Sequence, residues 1–500
     1  MHAHFLVLTL AIWMPITFGI AVLVVGAGKT PGIAGIARWT ALIGSVLSFI
    51  VTLPLIIGFN SSTSELQFVE ILPWIACFKI MYHLGVDGIS VWFVVLTAFI
   101  TVLVVISGWE AITDHVAQYM AAFLILSGFM VGVFSAADGM LLYVFFEATL
   151  IPMYLIIGIW GGKNRVYAAF KFFLYTLAGS LLMLVALIYL HIQSQSFELS
   201  AWHILPLRIV PQVLLFVAFF LGFAVKVPMW PLHTWLPDAH VEAPTGGSVV
   251  LAAIMLKLGA YGFIRLLLPI TPDASRLMAP VMITLSLFAL IYIGFVALVQ
   301  TDIKKLVAYS SIAHMGFVTL GLFLFSQLSV EGAIVQMLSH SFVSGAMFLC
   351  IGVLYERMHS RQITDYGGVV NTMPKFVVFA TLFAMANCAL PGTSGFVGEF
   401  MVILSAIKFN FWIGFLAAIT LILGAAYTLW MVKRVYFGAI KNDRVAELVD
   451  LNVREFLVLT VLALLVLYMG IFPKPFMDLM HESVINLLSH LAQSKLPATL

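Results

Sequence analysis

The sequence predicts an all-α membrane protein of about fourteen transmembrane helices, and two observations carry that prediction. Of its 500 residues, 63% are hydrophobic and only 9% are charged, whereas a soluble domain carries about 25% charged residues. So few charges cannot cover a water-facing surface of this size. Apolar runs long enough to cross a hydrocarbon core of about 30 Å also recur from one end of the chain to the other.

The charges and cysteines exclude several other classes of protein. The formal net charge is +2 and no long block of like charges is present, so the chain offers no electrostatic site for nucleic acid. Cys77, Cys350 and Cys388 lie far apart and form no CxxC pattern. They predict neither a disulfide framework nor an iron–sulfur cluster, and no cofactor is expected in this chain.

The apolar runs define fourteen predicted spans. The first has no lysine or arginine before it and is too long for a signal peptide, so it is expected to remain as helix one. A last stretch, 476–491, mixes apolar with charged residues and predicts a helix lying in the membrane interface. The predicted spans are 5–26, 38–58, 90–108, 117–135, 139–160, 166–191, 210–235, 245–268, 279–300, 303–325, 331–354, 375–406, 411–437 and 456–472.

The basic residues predict how the helices are oriented, because short cytoplasmic loops carry an excess of lysine and arginine. Loops after odd-numbered helices hold fourteen such residues, and loops after even-numbered helices before the C-terminus hold four. This imbalance places the odd-numbered loops in the cytoplasm. Both termini are then expected on the opposite side, which agrees with an even number of helices.

Two predicted helices are interrupted. Helix seven contains Pro228 and Pro231, whose missing N–H groups should free the carbonyls of Ala224 and Val227. Helix twelve contains the run Pro-Gly-Thr-Ser-Gly at 391–395. Irregular backbone at membrane depth is tolerated only where protein or a water-filled cavity surrounds it, so the breaks are expected to lie in such surroundings.

Broken helices five apart predict two inverted repeats of five helices. The repeats rest on the breaks, since no sequence identity between the two halves is evident. They divide the chain into four parts: 1–110 with helices one to three, 111–270 with the first repeat, 271–440 with the second repeat, and 441–500 with helix fourteen and the interfacial helix.

Four ionisable residues are expected near the middle of the bilayer. Glu147 lies about 12 Å inside helix five, since a helix rises 1.5 Å per residue. Lys226 adjoins the break in helix seven, and Lys257 lies halfway along helix eight. Glu399 follows the break in helix twelve. Each such charge costs roughly 2.5 to 3.5 kcal/mol, so these groups are expected to pair, titrate or contact water.

Two interpretations of these residues remain open. They could be static ion pairs that lock helices together, or a proton relay in which moving a partner loads or releases a proton. Lysine suits a relay because arginine is not deprotonated in proteins. His314 and His340 lie at similar depth in helices ten and eleven and could extend the relay, although a membrane histidine can equally hydrogen-bond a neighbouring helix.

Four more polar residues follow the break in helix seven, namely His233, Asp238, His240 and Glu242. Their spacing matches no zinc-binding pattern. A polar channel mouth or a set of helix caps is the favoured interpretation.

Three runs closely resemble the antiporter-like subunits of respiratory complex I: FAVKVPMWPLHTWLPDAH at 223–240, QTDIKKLVAYSSIAHMG at 300–316 and PGTSGFVGEF at 391–400. The resemblance covers essentially the whole chain. Within that family, Glu399 stands where the L and N types usually carry lysine, and the aromatic run at 143–154 looks like that of the M type. The M type is therefore favoured.

The resemblance implies a membrane-arm subunit that translocates protons when NADH reduces quinone elsewhere in the complex. NADH, flavin, iron–sulfur clusters and quinone would belong to partner subunits, which would include the L-type and N-type chains. The protein would lie in a bacterial inner membrane with both termini in the periplasm. The residue roles it implies are an ion pair of Glu147 with Lys226, a central carrier at Lys257, and a bridge through His314 and His340 to Glu399.

Two other functions are compatible with the sequence. A subunit of a multi-chain sodium/proton antiporter or of a membrane-bound hydrogenase would share the fold and the lysines, and would differ in its partners. A non-conducting scaffold would use the buried charges only to hold helices together.

Overall fold

The computed structural model describes residues 6–28 and 32–496. Residue 5 of the first predicted span, and Lys29 among the basic loop residues, lie outside the described residues. The helices before the first break are α1 (Val7–Gly26), α2 (Ile33–Ile57), α3 (Ser90–Ala111), α4 (Val116–Ser135), α5 (Gly139–Trp160) and α6 (Arg165–Ser194). The central helices are α7a (Ile209–Lys226), α7b (Trp235–Glu242), α8 (Thr245–Ile270), α9 (Pro272–Leu298), α10 (Ile303–Phe323) and α11 (Gln327–Met358). The last are α12a (Pro374–Asn387), α12b (Ser394–Phe409), α13 (Phe411–Val435), α14 (Val453–Ile471) and α15 (Lys474–Ala492).

The prediction of about fourteen transmembrane helices is confirmed. Within the described ranges, thirteen helices are long and apolar enough to cross a membrane. The fourteenth span is made of α12a and α12b, whose 14 and 16 residues are each too short to cross alone. Both interruptions are present, between α7a and α7b and between α12a and α12b.

A β-hairpin lies between α2 and α3, where the sequence predicts no regular element. Strand β1 (Gln67–Ile75) pairs antiparallel with β2 (Ile80–Val86). The carboxylate of Glu70 accepts hydrogen bonds from the backbone N–H groups of Leu8, at 2.8 Å, and Thr9, at 3.0 Å. The hairpin therefore caps the start of α1, where helical N–H groups have no partner within the helix.

The hairpin and α15 lie at the same end of the bundle, which we call the outer end. The backbone N–H of Gly88, two residues after β2, donates to the hydroxyl of Ser483 in α15 at 3.0 Å. A side chain at Gly88 would collide with the backbone of Leu479, since its Cβ would lie 1.8 Å from that carbonyl oxygen. Helix α15 covers the predicted interfacial segment 476–491.

Three helices are enclosed by the others. In α8, α10 and α11, 94%, 94% and 100% of the most apolar stretch is buried, compared with 39%, 33% and 33% in α1, α2 and α14. The outer helices therefore carry exposed apolar side chains, whereas the enclosed helices are surrounded almost entirely by protein. Lys257, His314 and His340 lie on α8, α10 and α11 respectively.

Matched features support the predicted repeats, which stay a prediction. Asp138 caps the start of α5 and its backbone pairs with Glu198 after α6, while Asp302 caps the start of α10 and pairs with Gln362 after α11. These corners are five helices apart, an odd number, so they lie at opposite ends of the bundle as inversion requires.

The break in α12 depends on a close backbone approach at Gly395. A Cβ there would lie 2.1 Å from the carbonyl oxygen of Ala386 in α12a. We predict that Gly395→Ala destabilises the protein by about 1 to 3 kcal/mol, because the two half-helices would have to move apart. Gly424→Ala in α13 is the matched control, since its Cβ would meet no atom closer than 3.6 Å. The thermal unfolding midpoint of the purified protein measures both, and an equal effect in the two variants would contradict the prediction.

Candidate ion relay

Lys226 is the last residue of α7a and lies directly before the break. The N–H of Met229 donates to the carbonyl of Ala224 at 2.9 Å. The prediction that Pro228 leaves the Ala224 carbonyl free is therefore wrong, because a wider hydrogen bond replaces the lost helical one. The corresponding hydrogen bond in α12 runs from the N–H of Leu390 to the carbonyl of Met385 at 3.1 Å.

The Lys226 side chain turns toward α5 and is buried there. Its ammonium donates to the Phe146 carbonyl at 3.3 Å and to the Thr149 hydroxyl at 3.2 Å, and lies 3.6 Å from the centre of the Phe146 ring. The carboxylate atom Oε1 of Glu147 is buried without a hydrogen-bond partner. The implied ion pair of Glu147 with Lys226 is thus not formed in this structure, because the ammonium is bound by the residues that flank Glu147.

Lys257 lies between two π-helical segments of α8, Leu251–Met255 and Phe263–Leu267. Such segments leave backbone groups available and occur frequently at functional sites. The Lys257 ammonium donates to the carbonyl of Ala252 at 2.5 Å and contacts Nδ1 of His340 at 2.7 Å. An ammonium group has no acceptor, so His340 accepts at Nδ1 and carries its proton on Nε2.

His314 links α10 to the second half of α12. Its Nδ1 lies 2.6 Å from Oε1 of Glu399, and its Nε2 lies 3.1 Å from Oδ1 of Asn387. Nδ2 of Asn387 lies 3.2 Å from the Thr428 hydroxyl, which completes this polar group. The Nδ1 contact places His314 against a carboxylate, and the hydrogen bond between them would strengthen when the ring carries a second proton.

Glu399 is held by a second contact, with α11. The side-chain amide of Gln336 donates to the same Oε1 atom at 2.9 Å. This contact is possible because residue 398 is glycine: a Cβ there would lie 2.6 Å from the backbone nitrogen of Gln336. Gln336 and Asn387 were missed by sequence reasoning, although an amide on an apolar membrane helix is a usable signal.

The buried groups form a series from α8 to α12b. Lys257 contacts His340, whose unpartnered Nε2 is buried, and the rings of His340 and His314 have centres 5.8 Å apart. His314 then contacts Glu399. The structure thus brings four of the six predicted residues together, while Lys226 and Glu147 lie together at the α5–α7a contact.

The four polar residues after the break in α7 are dispersed. Asp238 binds Lys171 at 2.7 Å, and the carboxylate of Glu242 accepts the N–H of Asn164 at 2.9 Å. His240 is buried with both ring nitrogens unpartnered, and His233 has an unpartnered Nδ1. The described residues contain no group of His, Cys, Asp and Glu that could hold a metal ion.

A cavity of about 230 Å³ opens at the end of the bundle opposite the hairpin. Glu242, Lys304 and Phe348 line it, and the ring of Phe348 stacks on the buried His240 with centres 4.5 Å apart. The Lys304 ammonium donates to the carbonyl of Ala243 at 2.5 Å. Polar groups thus extend from this surface toward the enclosed helices.

Residues 136–425 match the protein family described as NADH:quinone oxidoreductase/Mrp antiporter, TM. The chain is 48% identical over 498 residues to NADH-quinone oxidoreductase subunit M of Rhodobacter capsulatus, covering 97% of this chain and 96% of the relative. It is 44% identical over 480 residues to NADH-ubiquinone oxidoreductase chain 4 of Marchantia polymorpha, covering 96% of each.

A chain of respiratory complex I from Thermus thermophilus with bound NADH has the same fold, with a TM-score of 0.87 and 30% identity. The superposition covers 97% of this chain and 100% of that chain. The likeness in sequence and in fold thus extends over almost the full length of both proteins in each comparison, and the chain belongs to the NADH-quinone oxidoreductase subunit M family.

Proposed function

We propose that this chain translocates protons across the membrane as a membrane-arm subunit of NADH:quinone oxidoreductase, with Lys257 as the central proton carrier. The observation that carries the proposal is the contact series from Lys257 through His340 and His314 to Glu399. All four side chains are buried, three of them on the enclosed helices α8, α10 and α11 and the fourth, Glu399, on α12b. Hydrogen bonds join Lys257 to His340 and His314 to Glu399, and a proton crosses between the two rings, whose centres lie 5.8 Å apart, through a water molecule or by ring rotation.

A proton leaves Lys257 through the contact with Nδ1 of His340. The imidazole ring accepts it at Nδ1 and releases the proton on Nε2 toward His314, so one proton advances and the charge moves with it. The pairing of His314 with Glu399 then accommodates that charge at the second broken helix. Lys257 regains a proton from the other side of the relay to complete the cycle.

The distance between Glu147 and Lys226 affects how strongly Lys257 holds a proton. In this structure the Lys226 ammonium is held by the Phe146 ring, and a cation–π contact of this kind contributes up to about 2 kcal/mol in a desolvated site. A shift of the ammonium to Glu147 would exchange that contact for an ion pair. The positive potential of Lys226 at Lys257 would then be offset by Glu147, which makes a proton on Lys257 easier to hold.

The arrangement in the complex follows from the same proposal. Protons enter from the cytoplasm through the cavity at Glu242 and Lys304 and pass His240. Both termini, the hairpin and α15 then face the periplasm of a bacterial inner membrane, as the excess of basic residues in the odd-numbered loops indicates. NADH, flavin, iron–sulfur clusters and quinone are bound by partner subunits, and the neighbouring chains include the L-type and N-type antiporter-like subunits.

Replacing the central carrier tests the proposal directly. We predict that Lys257→Ala lowers NADH-driven proton pumping in inverted membrane vesicles by at least about tenfold, because alanine cannot carry a proton; losses of about 10² to 10⁴ are usual for proton-transferring side chains. Lys408→Ala, at an exposed lysine in α12b, is the control and should pump normally. Normal pumping by Lys257→Ala, at normal abundance of the assembled complex, would refute the proposal.

The pair at the end of the relay gives a second test. We predict that Glu399→Gln lowers pumping because a neutral amide no longer holds a protonated His314. The matched control is Glu331→Gln, which removes another buried carboxylate bound to a histidine, His481 at 2.9 Å, outside the contact series. If Glu399 had only a structural role, both substitutions would lower the amount of assembled complex. Pumping per assembled complex would then stay normal in both variants.

A further inference from the structure

A second polar cavity lies at the outer end of the bundle, beside the same helix that carries Lys257. It has a volume of about 160 Å³. Its titratable lining residues include Asp87, His203, Tyr261, Arg265 and His490. This outer cavity lies on the opposite side of Lys257 from the cavity at Glu242 and Lys304, and the contact series to Glu399 does not pass through it.

Arg265 and Asp87 close the inner part of the outer cavity as an ion pair. Asp87 is fixed in place, because its carboxylate also accepts the backbone N–H groups of Ile89, at 3.1 Å, and Ser90, at 2.9 Å, where α3 begins. Arg265 belongs to the second π-helical segment of α8, whose irregular backbone can change its hydrogen-bond pattern. If the pair opens, the arginine is therefore the partner expected to move.

The guanidinium also blocks Tyr261. Nε of Arg265 donates to the tyrosine hydroxyl at 2.9 Å, and that hydroxyl donates to the carbonyl of Phe134 at 3.0 Å. The hydroxyl proton of Tyr261 and one lone pair of its oxygen are thus engaged in hydrogen bonds. Because arginine is not deprotonated in proteins, no proton can pass through Arg265 itself.

Tyr261 lies one helical turn from Lys257, a rise of about 6 Å. In this structure the Lys257 ammonium points the other way, to the carbonyl of Ala252, which lies five residues closer to the start of α8. Lys257 does not line the outer cavity and makes no hydrogen bond to Tyr261, so its proton reaches the cavity only when the lysine side chain turns away from Ala252.

We propose that the outer cavity is a second outlet for the proton on Lys257, used in place of the transfer to His340 when its gate, the Arg265–Asp87 ion pair, is open. This inference rests on the proposed role of Lys257 as carrier. When Arg265 leaves Tyr261 and Asp87, water enters and the Lys257 ammonium gives one proton to that water, becoming a neutral amine. The proton leaves through the cavity mouth. No electron moves and no other bond changes.

The other titratable groups at the cavity fit an exit. Desolvation lowers the pKa of His203 to about 3, and it also lowers the pKa of His490. Both rings are therefore predominantly neutral at neutral pH and add little charge to oppose the proton. His83 lies at the rim, 3.7 Å from Glu198. The charge at the floor is thus governed by Arg265 and Asp87.

The two members of the gate give opposite predictions, which a structural ion pair would not. Arg265→Gln removes the cation and leaves the Asp87 carboxylate, so passive proton leak through the assembled complex should rise. Removal of one unit charge about 10 Å from the proton path, in a medium with an effective dielectric constant of about 20, changes the rate of proton entry about tenfold. Asp87→Asn leaves Arg265 unopposed, so pumping should fall with no rise in leak. Asparagine caps a helix as well as aspartate does, so α3 keeps its start.

The experiment uses the assembled complex in inverted vesicles, with NADH oxidation, pumping and passive leak measured together. Arg276→Gln is the matched control, because it removes an exposed ion pair with Asp273 at the same end of the protein. The gate is supported by a proton leak that appears in Arg265→Gln and disappears in the double variant Arg265→Gln with Lys257→Ala. Tight coupling in Arg265→Gln, or the same defect in both gate variants, overturns it. Normal pumping by Lys257→Ala alone would refute the proposed carrier. Failure of the carrier and failure of the gate therefore give different results.

A labelling measurement decides the matter if the gate variants do not assemble. Ser200 is exposed and lines the outer cavity, whereas Ser489 is exposed on α15 and does not line it. In a Cys77→Ser background, a cationic thiosulfonate on Ser200→Cys should lower pumping, and the same reagent on Ser489→Cys should not. Labelling is verified by mass. Unchanged pumping in labelled Ser200→Cys, or failure of that cysteine to react, overturns the proposal.

Discussion

The cost of holding a charge in a medium without water constrains the rest of this protein. A charge at the centre of the bilayer costs about 2.5 to 3.5 kcal/mol on insertion scales, and the bundle lowers that cost by burying several charged side chains against specific contacts, whereas Oε1 of Glu147 has no hydrogen-bond partner. His314 has a carboxylate partner, Lys226 has an aromatic ring and a carbonyl, and Arg265 has Asp87. The broken helices, the π-helical segments and the close glycine contacts all serve to bring such partners within reach.

Much of the fold could be predicted because helix length and hydrophobicity are local properties of the chain. All fourteen spans, both interruptions and a helix over the segment predicted to be interfacial lie where the apolar runs and prolines indicate. The β-hairpin was missed because β1 has an irregular burial pattern and shows no clean alternation of apolar and polar residues. The hydrogen bond from Met229 to Ala224 was missed because a proline removes a local bond, but only the folded backbone shows what replaces it.

The candidate site was predictable as a set of residues and not as a set of contacts. Charges and histidines in apolar helices stand out in a sequence, so all six members could be named from the amino-acid sequence alone. Which of them touch depends on distances between helices that are far apart in the chain. Gly398 allows Glu399 to reach Gln336, and nothing in the sequence around either residue indicates that approach. Arg265 and Asp87 were overlooked for the same reason, since they are 178 positions apart.

The contacts of Lys257 differ in kind from those of the other buried charges. Its ammonium binds a neutral imidazole and a backbone carbonyl, and none of the salt bridges between described residues includes it. His314, by contrast, lies 2.6 Å from a carboxylate that would compensate a charge on its ring. No fixed ionic partner among the described residues compensates a charge on Lys257, so that charge is open to the influence of more distant groups. A group without fixed compensation responds most to a change in the charges around it, and the proposed role of central carrier needs this property.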